Sequence, residues 1–201
     1  VLAGLTPYQG GTLRVLGEAV NGPRRDVGFV FQHLALLPWR TVLDNVLLPA
    51  ELLGKSRKEA TPQALECLRK VGLEGYESYY LREISGGMQQ RVALSRVLMT
   101  PSRVLLLDEP FGALDELTRE SVSMLFLDIC QQTGAATVLV THSIQEAVLM
   151  SDRVLVMPPN AEGQAQWITV DIPRPRGYEM MLTEGFIQAV GEVRAALGLP
   201  T

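Results

Sequence analysis

One run constrains the fold more than any other: Val104-Leu105-Leu106-Leu107-Asp108-Glu109-Pro110. Four consecutive apolar residues, closed by two carboxylates and a proline, fit a strand buried on both faces of a parallel sheet. Pro110 has no amide hydrogen for a ladder bond, so the strand stops where the acids begin. Asp108 and Glu109 are thus expected at the carboxyl end of that strand, where open α/β sheets bind ligands. Neighbouring side chains there point in different directions, which lets one acid hold a cation while the other faces a water. Taken alone, the run reads equally well as a core strand followed by a solvated turn.

The chain has 201 residues, enough for one domain or one domain with a subdomain. With 47% hydrophobic and 20% charged residues it has ample core material. A net charge of -4 argues against a nucleic-acid partner, which calls for a basic patch. Cys67 and Cys130 lie in no metal or redox spacing and are expected to be buried thiols in a reducing compartment. No apolar run approaches the roughly 20 residues of a membrane span, and no signal peptide is recognisable. The expectation is a protein that is cytoplasmic if bacterial and whose membrane contact goes through a partner.

Read in order, residues 1–5 look like the end of a helix with Gly4 at C′, as if the chain started inside a structural unit. A strand is expected over residues 12–16, and another over 27–31, ending at Gln32. Residues 41–53 read as a helix with Pro49 as a kink. The next helix has two competing starts. Ser56-Arg57-Lys58-Glu59 has capping-box spacing, while Thr61-Pro62 offers an N-cap followed by proline at the first helical position. The later start is favoured, because proline inside a helix removes a hydrogen bond. Further helices are expected over 88–99, 116–133 (closed by Gly134), 143–150 and 184–197. Residues 137–140 read as a buried strand, 153–157 as the next, and 167–172 as an edge strand after Pro158-Pro159.

Three apolar strands thus end in polar groups of different kinds: Gln32, Asp108 with Glu109, and His142. One parallel sheet gathers such groups along one edge, as an active site requires. Ser85-Gly86-Gly87 at a helix start adds an anion site, since glycines admit close approach and first-turn amides are unpaired. Each of these features alone has a plainer reading: a strand-end polar residue, a capping histidine, a flexible loop.

In combination they resemble a known family. Ile84-Ser85-Gly86-Gly87-Met88 resembles the signature motif of ATP-binding cassette (ABC) ATPases, with Ile84 and Met88 where Leu and Gln are commonest. Residues 105–109 resemble the Walker B strand, Gly112-Ala113-Leu114-Asp115 the D-loop, Thr141-His142 the switch histidine, and Val30-Phe31-Gln32 the Q-loop. Residues 35–40, the run Ser85-Gly86-Gly87-Met88 and Pro173-Arg174-Pro175-Arg176 resemble the nitrate/sulfonate/taurine importer branch. Ser143 stands where many members have Asp, a tolerable change because Ser also caps helices.

The resemblance implies an α/β, P-loop NTPase-like (RecA-like) core over residues 1–32 and 96–157. It adds a helical signature subdomain over 33–95 and a strand-and-helix extension over 158–201. Family members carry a strand, a Walker A loop and a helix ahead of the position of Val1. No G-x-x-x-x-G-K-S/T pattern occurs in these 201 residues, nor does the aromatic that stacks on adenine. The N-terminal part of the fold is therefore expected to be missing, and residues 1–201 alone are expected to show no Mg-ATP binding and no ATPase activity.

By resemblance the cofactors are ATP and Mg2+. Glu109 is the general base or water-orienting group, His142 contacts the γ-phosphate, Asp108 holds the Mg2+ through water, and Gln32 senses the Mg2+ and the attacking water. Ser85, Gly86, Gly87 and Asp115 serve the nucleotide of a second ATPase subunit in a head-to-tail dimer. The implied setting is the cytoplasmic face of the cell membrane, peripherally bound to an integral membrane permease, with a periplasmic or extracellular solute-binding protein acting indirectly. Trp39 is expected to be exposed and to anchor the permease. Two other classes stand beside this reading: a non-catalytic fragment or interaction subunit, and a DNA-repair or chromosome ATPase sharing the signature, whose coiled-coil or zinc insertions and basic surfaces are not evident here.

Overall fold

The computed structural model describes residues 1–100, 102–158 and 164–199, so part of the expected Pro158-Pro159 turn lies outside the described residues. The chain divides into two compact units, Val1–Val138 and Leu139–Thr201.

The first unit opens with a turn, in which the Gly4 amide donates to the Val1 carbonyl, rather than with a run of helix. The strand expected over 12–16 is shorter and has a partner that the sequence reading missed. Strands β1 (Arg14–Val15) and β2 (Glu18–Ala19) form a hairpin through Leu16 and Gly17, both at positive φ. That pair of conformations is what a tight two-residue hairpin turn requires. Strand β3 (Val27–Val30) then runs parallel to β4 (Val104–Asp108), with Val27 opposite Val104 and Val30 opposite Leu107. Gly28 permits this approach, since a β-carbon there falls 2.9 Å from Leu105 Cδ2. Val104 to Leu107 are all buried, as the apolar run demanded.

Four helices complete this unit. Helix α1 (Val42–Leu52) is capped by Thr41 and contains Pro49. Helix α2 (Arg57–Lys70) starts at the earlier of the two candidates, which corrects the preference for Pro62. Ser56 accepts from the Glu59 amide while the Glu59 carboxylate accepts from the Ser56 amide at 3.1 Å. Two orphan donors gain partners there, against the single bond that Pro62 gives up inside the helix. Helix α3 (Gly86–Leu98) takes both signature glycines into its first turn. Helix α4 (Glu116–Thr133) ends at Gly134, at φ +61, as the sequence indicated.

Strand β5 (Ala136–Val140) lies at the edge of the sheet, in the order β3-β4-β5. It is not the buried strand its composition suggests, for Val138 is 43% and Val140 53% exposed. A short apolar run does not specify neighbours on both sides, and an edge strand has one only.

In the second unit, β6 (Arg153–Val156) pairs antiparallel with β7 (Gln166–Thr169), shorter than expected. Val156 and Ile168 are buried, while Trp167 on the other face lies under the Arg153 guanidinium, 4.3 Å from its ring centre. Helix α5 (Ile144–Met150) precedes β6, and α6 (Glu184–Ala196), capped by Thr183, follows β7.

Candidate active site

Because β3 and β4 are parallel and in register, the residues following them emerge at one sheet edge. There Gln32 Nε2 donates to Glu109 Oε2 at 3.1 Å, across 77 residues of sequence. Glu109 has φ +44, a conformation that residues with a β-carbon seldom adopt. Such a conformation costs about 1–3 kcal/mol and persists only where the surroundings impose it. Pro110 and Phe111 are buried beyond it, and the Gly112 amide closes a turn on the Glu109 carbonyl at 3.3 Å. Glu109 is thereby turned out of the alternation of β4, half-buried, while Asp108 before it stays exposed.

With Nε2 committed to Glu109, the Gln32 amide oxygen is left as an acceptor, and Asp108 is the exposed carboxylate that ends β4. Two hard oxygen donors on adjacent strand ends suit Mg2+, which keeps several waters and shares phosphate oxygens. Among the described residues, no group of three or more His, Cys, Asp or Glu is placed to hold a metal.

A second polar edge forms where α3 and α4 start. Ser85 Oγ accepts from the Met88 amide at 3.3 Å, and Ser85 and Gly86 are exposed. No acidic residue occupies this first turn. Gly87 is buried, and a β-carbon there falls 2.2 Å from Thr118 Cγ2, so the two helix starts touch. Asp115 caps α4 by accepting from the Thr118 amide at 3.1 Å. Hydrogen bonds from Thr118 hold the Asp115 carboxyl below the usual range. The sequence reading missed what fixes this loop. Arg119 donates to the carbonyls of Phe111 and Leu114 and pairs with Glu116 at 2.9 Å. An arginine four residues after the cap was the available signal.

The segment between Gln32 and α1 is also pinned. Asn45 is fully buried. Its side chain accepts from the Leu37 amide at 2.8 Å and donates to the carbonyls of Leu37, Arg40 and Thr41. Arg96 of α3 donates to the Ala35 carbonyl at 2.7 Å. Arg40 pairs with Glu51 at 2.6 Å, and Trp39 beside it is 71% exposed, as expected. Cys67 is buried, which pushes its thiol up, whereas Cys130 is only partly covered, unlike the expectation for both.

His142 belongs to the second unit. It follows Thr141, two residues past the strand's Val140, and precedes Ser143, the N-cap of α5. The structure thus joins Gln32 directly to Glu109 with Asp108 next to them, and brings the Ser85 and Asp115 caps to touching helix starts.

The family model described as ABC transporter matches residues 1–112. The taurine import ATP-binding protein TauB of Escherichia coli O6:H1 is 43% identical over 159 residues, 79% of this chain and 62% of the relative. That of Shigella dysenteriae serotype 1 is 43% identical over 157 residues, 78% of this chain and 62% of the relative. Among solved structures, the ATP-binding cassette MJ0796 in a dimeric post-hydrolysis state bound to ADP and Pi aligns with a TM-score of 0.59. The identity is 35%, covering 70% of this chain and 66% of that one. Another dimeric MJ0796 structure, described as a bacterial ABC transporter cassette, aligns at a TM-score of 0.56 and 40% identity, covering 66% and 59%. The chain spans 62% of the length of the TauB relatives. With a family match over more than half of its residues and a cassette fold, the chain belongs to the ABC transporter family.

Proposed function

We propose that this chain is part of the ATP-binding and ATP-hydrolysing subunit of a bacterial importer for a small solute of the taurine, sulfonate or nitrate type. The observation that carries the reading is the Gln32–Glu109 hydrogen bond at the ends of two parallel strands, with Glu109 held in a left-handed conformation. Likeness to taurine import ATP-binding proteins supports the solute class.

In this reading Glu109 takes the proton of the attacking water, and Gln32 orients that carboxylate. Asp108 and Gln32 would hold the Mg2+, which would supply charge neutralisation on the phosphates. His142 donates to the γ-phosphate. The exposed start of α3, with Ser85, Gly86 and Gly87, together with Asp115, meets the nucleotide of a second subunit, for which the dimeric neighbours offer a precedent. Catalysis of this kind is mainly positioning and charge stabilisation. The helical segment around Trp39 docks on a membrane permease, and a solute-binding protein outside the membrane delivers the solute. No helix among the described residues is long and apolar enough to cross a membrane, which agrees with a peripheral subunit.

In the whole protein, Glu109→Gln is expected to retain ATP binding and dimerisation while turnover falls about 10²–10⁴-fold, the usual worth of a positioned base. Steady-state phosphate release within a few-fold of the unmodified protein removes Glu109 from this role.

A further inference from the structure

The turn around His142 is built from residues of the second unit. The Thr141 hydroxyl oxygen accepts from the Ser143 amide at 3.0 Å, closing a short turn whose middle residue is His142. The same hydroxyl donates its proton to Glu146 Oε2 at 2.6 Å. Glu146 is 92% buried by its 8% exposure, and its own amide donates to Ser143 Oγ at 3.3 Å. The expected capping box over Ser143 to Glu146 is therefore only half made, because the carboxylate turns to the Thr141 hydroxyl instead. A hydroxyl that gives its proton to a carboxylate has its lone pairs directed elsewhere, here at the Ser143 amide.

The far end of α5 is held as firmly. The buried Arg176 guanidinium donates to the carbonyls of Val148, Leu149 and Ser151, and to Val170 and Ile172 beyond β7. Burial lowers its pKa. Five carbonyl acceptors on two segments fix α5 as a short strut, with the turn around His142 at its front.

We infer that Thr141 and Glu146 are positioning residues for His142: the carboxylate orients the threonine hydroxyl, and the hydroxyl sets the turn that aims the imidazole. The inference deepens the proposed ATPase reading and rests on it for its kinetic consequence only. Thr141→Val keeps the shape and removes both hydrogen bonds, whereas Thr141→Ser keeps both. Glu146→Gln keeps an acceptor for the hydroxyl.

The test labels the histidines of the whole protein and follows their imidazole NMR signals, assigned through His142→Gln, alongside Mg-ATP turnover. Thr141→Val is expected to shift and broaden the His142 signals with those of His33 unchanged, and Thr141→Ser to restore them. Misplacement of a catalytic group by about 1 Å costs up to about a hundredfold, so kcat is expected to fall about tenfold with KM within twofold. Dispersed β6–β7 amide signals establish that the unit remains folded. Where Thr141→Val unfolds it, Glu146→Leu, which removes the acceptor of the Thr141 hydroxyl, carries the test: it is expected to shift the His142 signals while Glu146→Gln leaves them near their unmodified positions, and equal signals in the two variants overturn the inference. Unchanged His142 signals in folded Thr141→Val, or no restoration by Thr141→Ser, overturn the inference. A protein that hydrolyses no ATP in any form, yet shows the His142 shift, overturns the ATPase reading and upholds the positioning.

Discussion

Helices α2 and α3 both start from a serine whose hydroxyl accepts the amide hydrogen three residues on, at 3.3 Å in each case. At α2 the third residue is Glu59, whose carboxylate folds back on Ser56 and fills the end of the helix with negative charge. At α3 the third residue is Met88, no acid lies in the first turn, and Ser85 and Gly86 stand in water. The two starts share one cap and differ in the three residues that follow it, of which the third decides whether an acid closes the turn. A helix start supplies unpaired amides and about half a positive charge. In α2 the chain consumes that charge itself, and in α3 no acid of the first turn does so, which is what the proposed role at a partner's nucleotide requires.

The strongest way to break this contrast is Met88→Glu, which gives α3 the ending of α2. A unit charge about 4 Å from another costs about 1–4 kcal/mol between bulk-water and protein-surface conditions. Turnover of the assembled protein is therefore expected to fall by a factor of about 5 to 900, while the melting temperature holds or rises slightly. Unaltered ATP kinetics in this variant show that no phosphate meets the start of α3.

A packing variant probes the same end without charge. Gly87→Ala places a β-carbon against Thr118 Cγ2, and overpacking of this kind costs about 1–3 kcal/mol. Urea unfolding is expected to recover part of that loss in Gly87→Ala/Thr118→Ser, which removes the obstructing methyl. Equal losses in the single and double variants place the clash elsewhere.

At α2 the effects are confined to stability. Ser56→Ala is expected to lower unfolding free energy by about 0.5–2 kcal/mol through loss of the cap, with ATP turnover unchanged within twofold. A turnover defect instead ties α2 to the chemistry. The smallest effect is a pH dependence present at α2 and absent at the start of α3. Hydrogen bonds from Ser56 hold the Glu59 carboxyl below its ordinary value. A lowered folded pKa means that this stability is complete above the ordinary Glu value of about 4.3 and is lost as pH falls through the folded one. Urea midpoints between pH 6 and the acid transition are expected to lose this component in Glu59→Gln.

The sequence made the long elements legible, and physics explains where it stopped. Helix α4 was bounded on both sides, because Asp115 is a cap and Gly134 an αL terminator, both local signals. The convergence of Gln32 and Glu109 was foreseen from strand endings alone. The start of α2 was misjudged because a general rule against interior proline outweighed the specific reciprocal bonds of Ser56 and Glu59. The burial of β5 was misjudged because a four-residue apolar run carries no information about its neighbours. The left-handed backbone of Glu109 was invisible, since nothing in a glutamate announces positive φ. The Thr141–Glu146 bond was hidden by a capping-box pattern that the fold uses differently.

The clamp of Asn45 on residues 37–41 has a kinetic consequence. A loop that must freeze on docking adds an ordering cost to every encounter and slows the productive ones. Around Trp39 the backbone is fixed by the buried Asn45 side chain, so in the proposed docking an incoming surface meets one arrangement of this loop rather than an ensemble. Under that proposal, association at this tip is limited by the orientation of two surfaces, and affinity differences among partners fall on the lifetime of the complex.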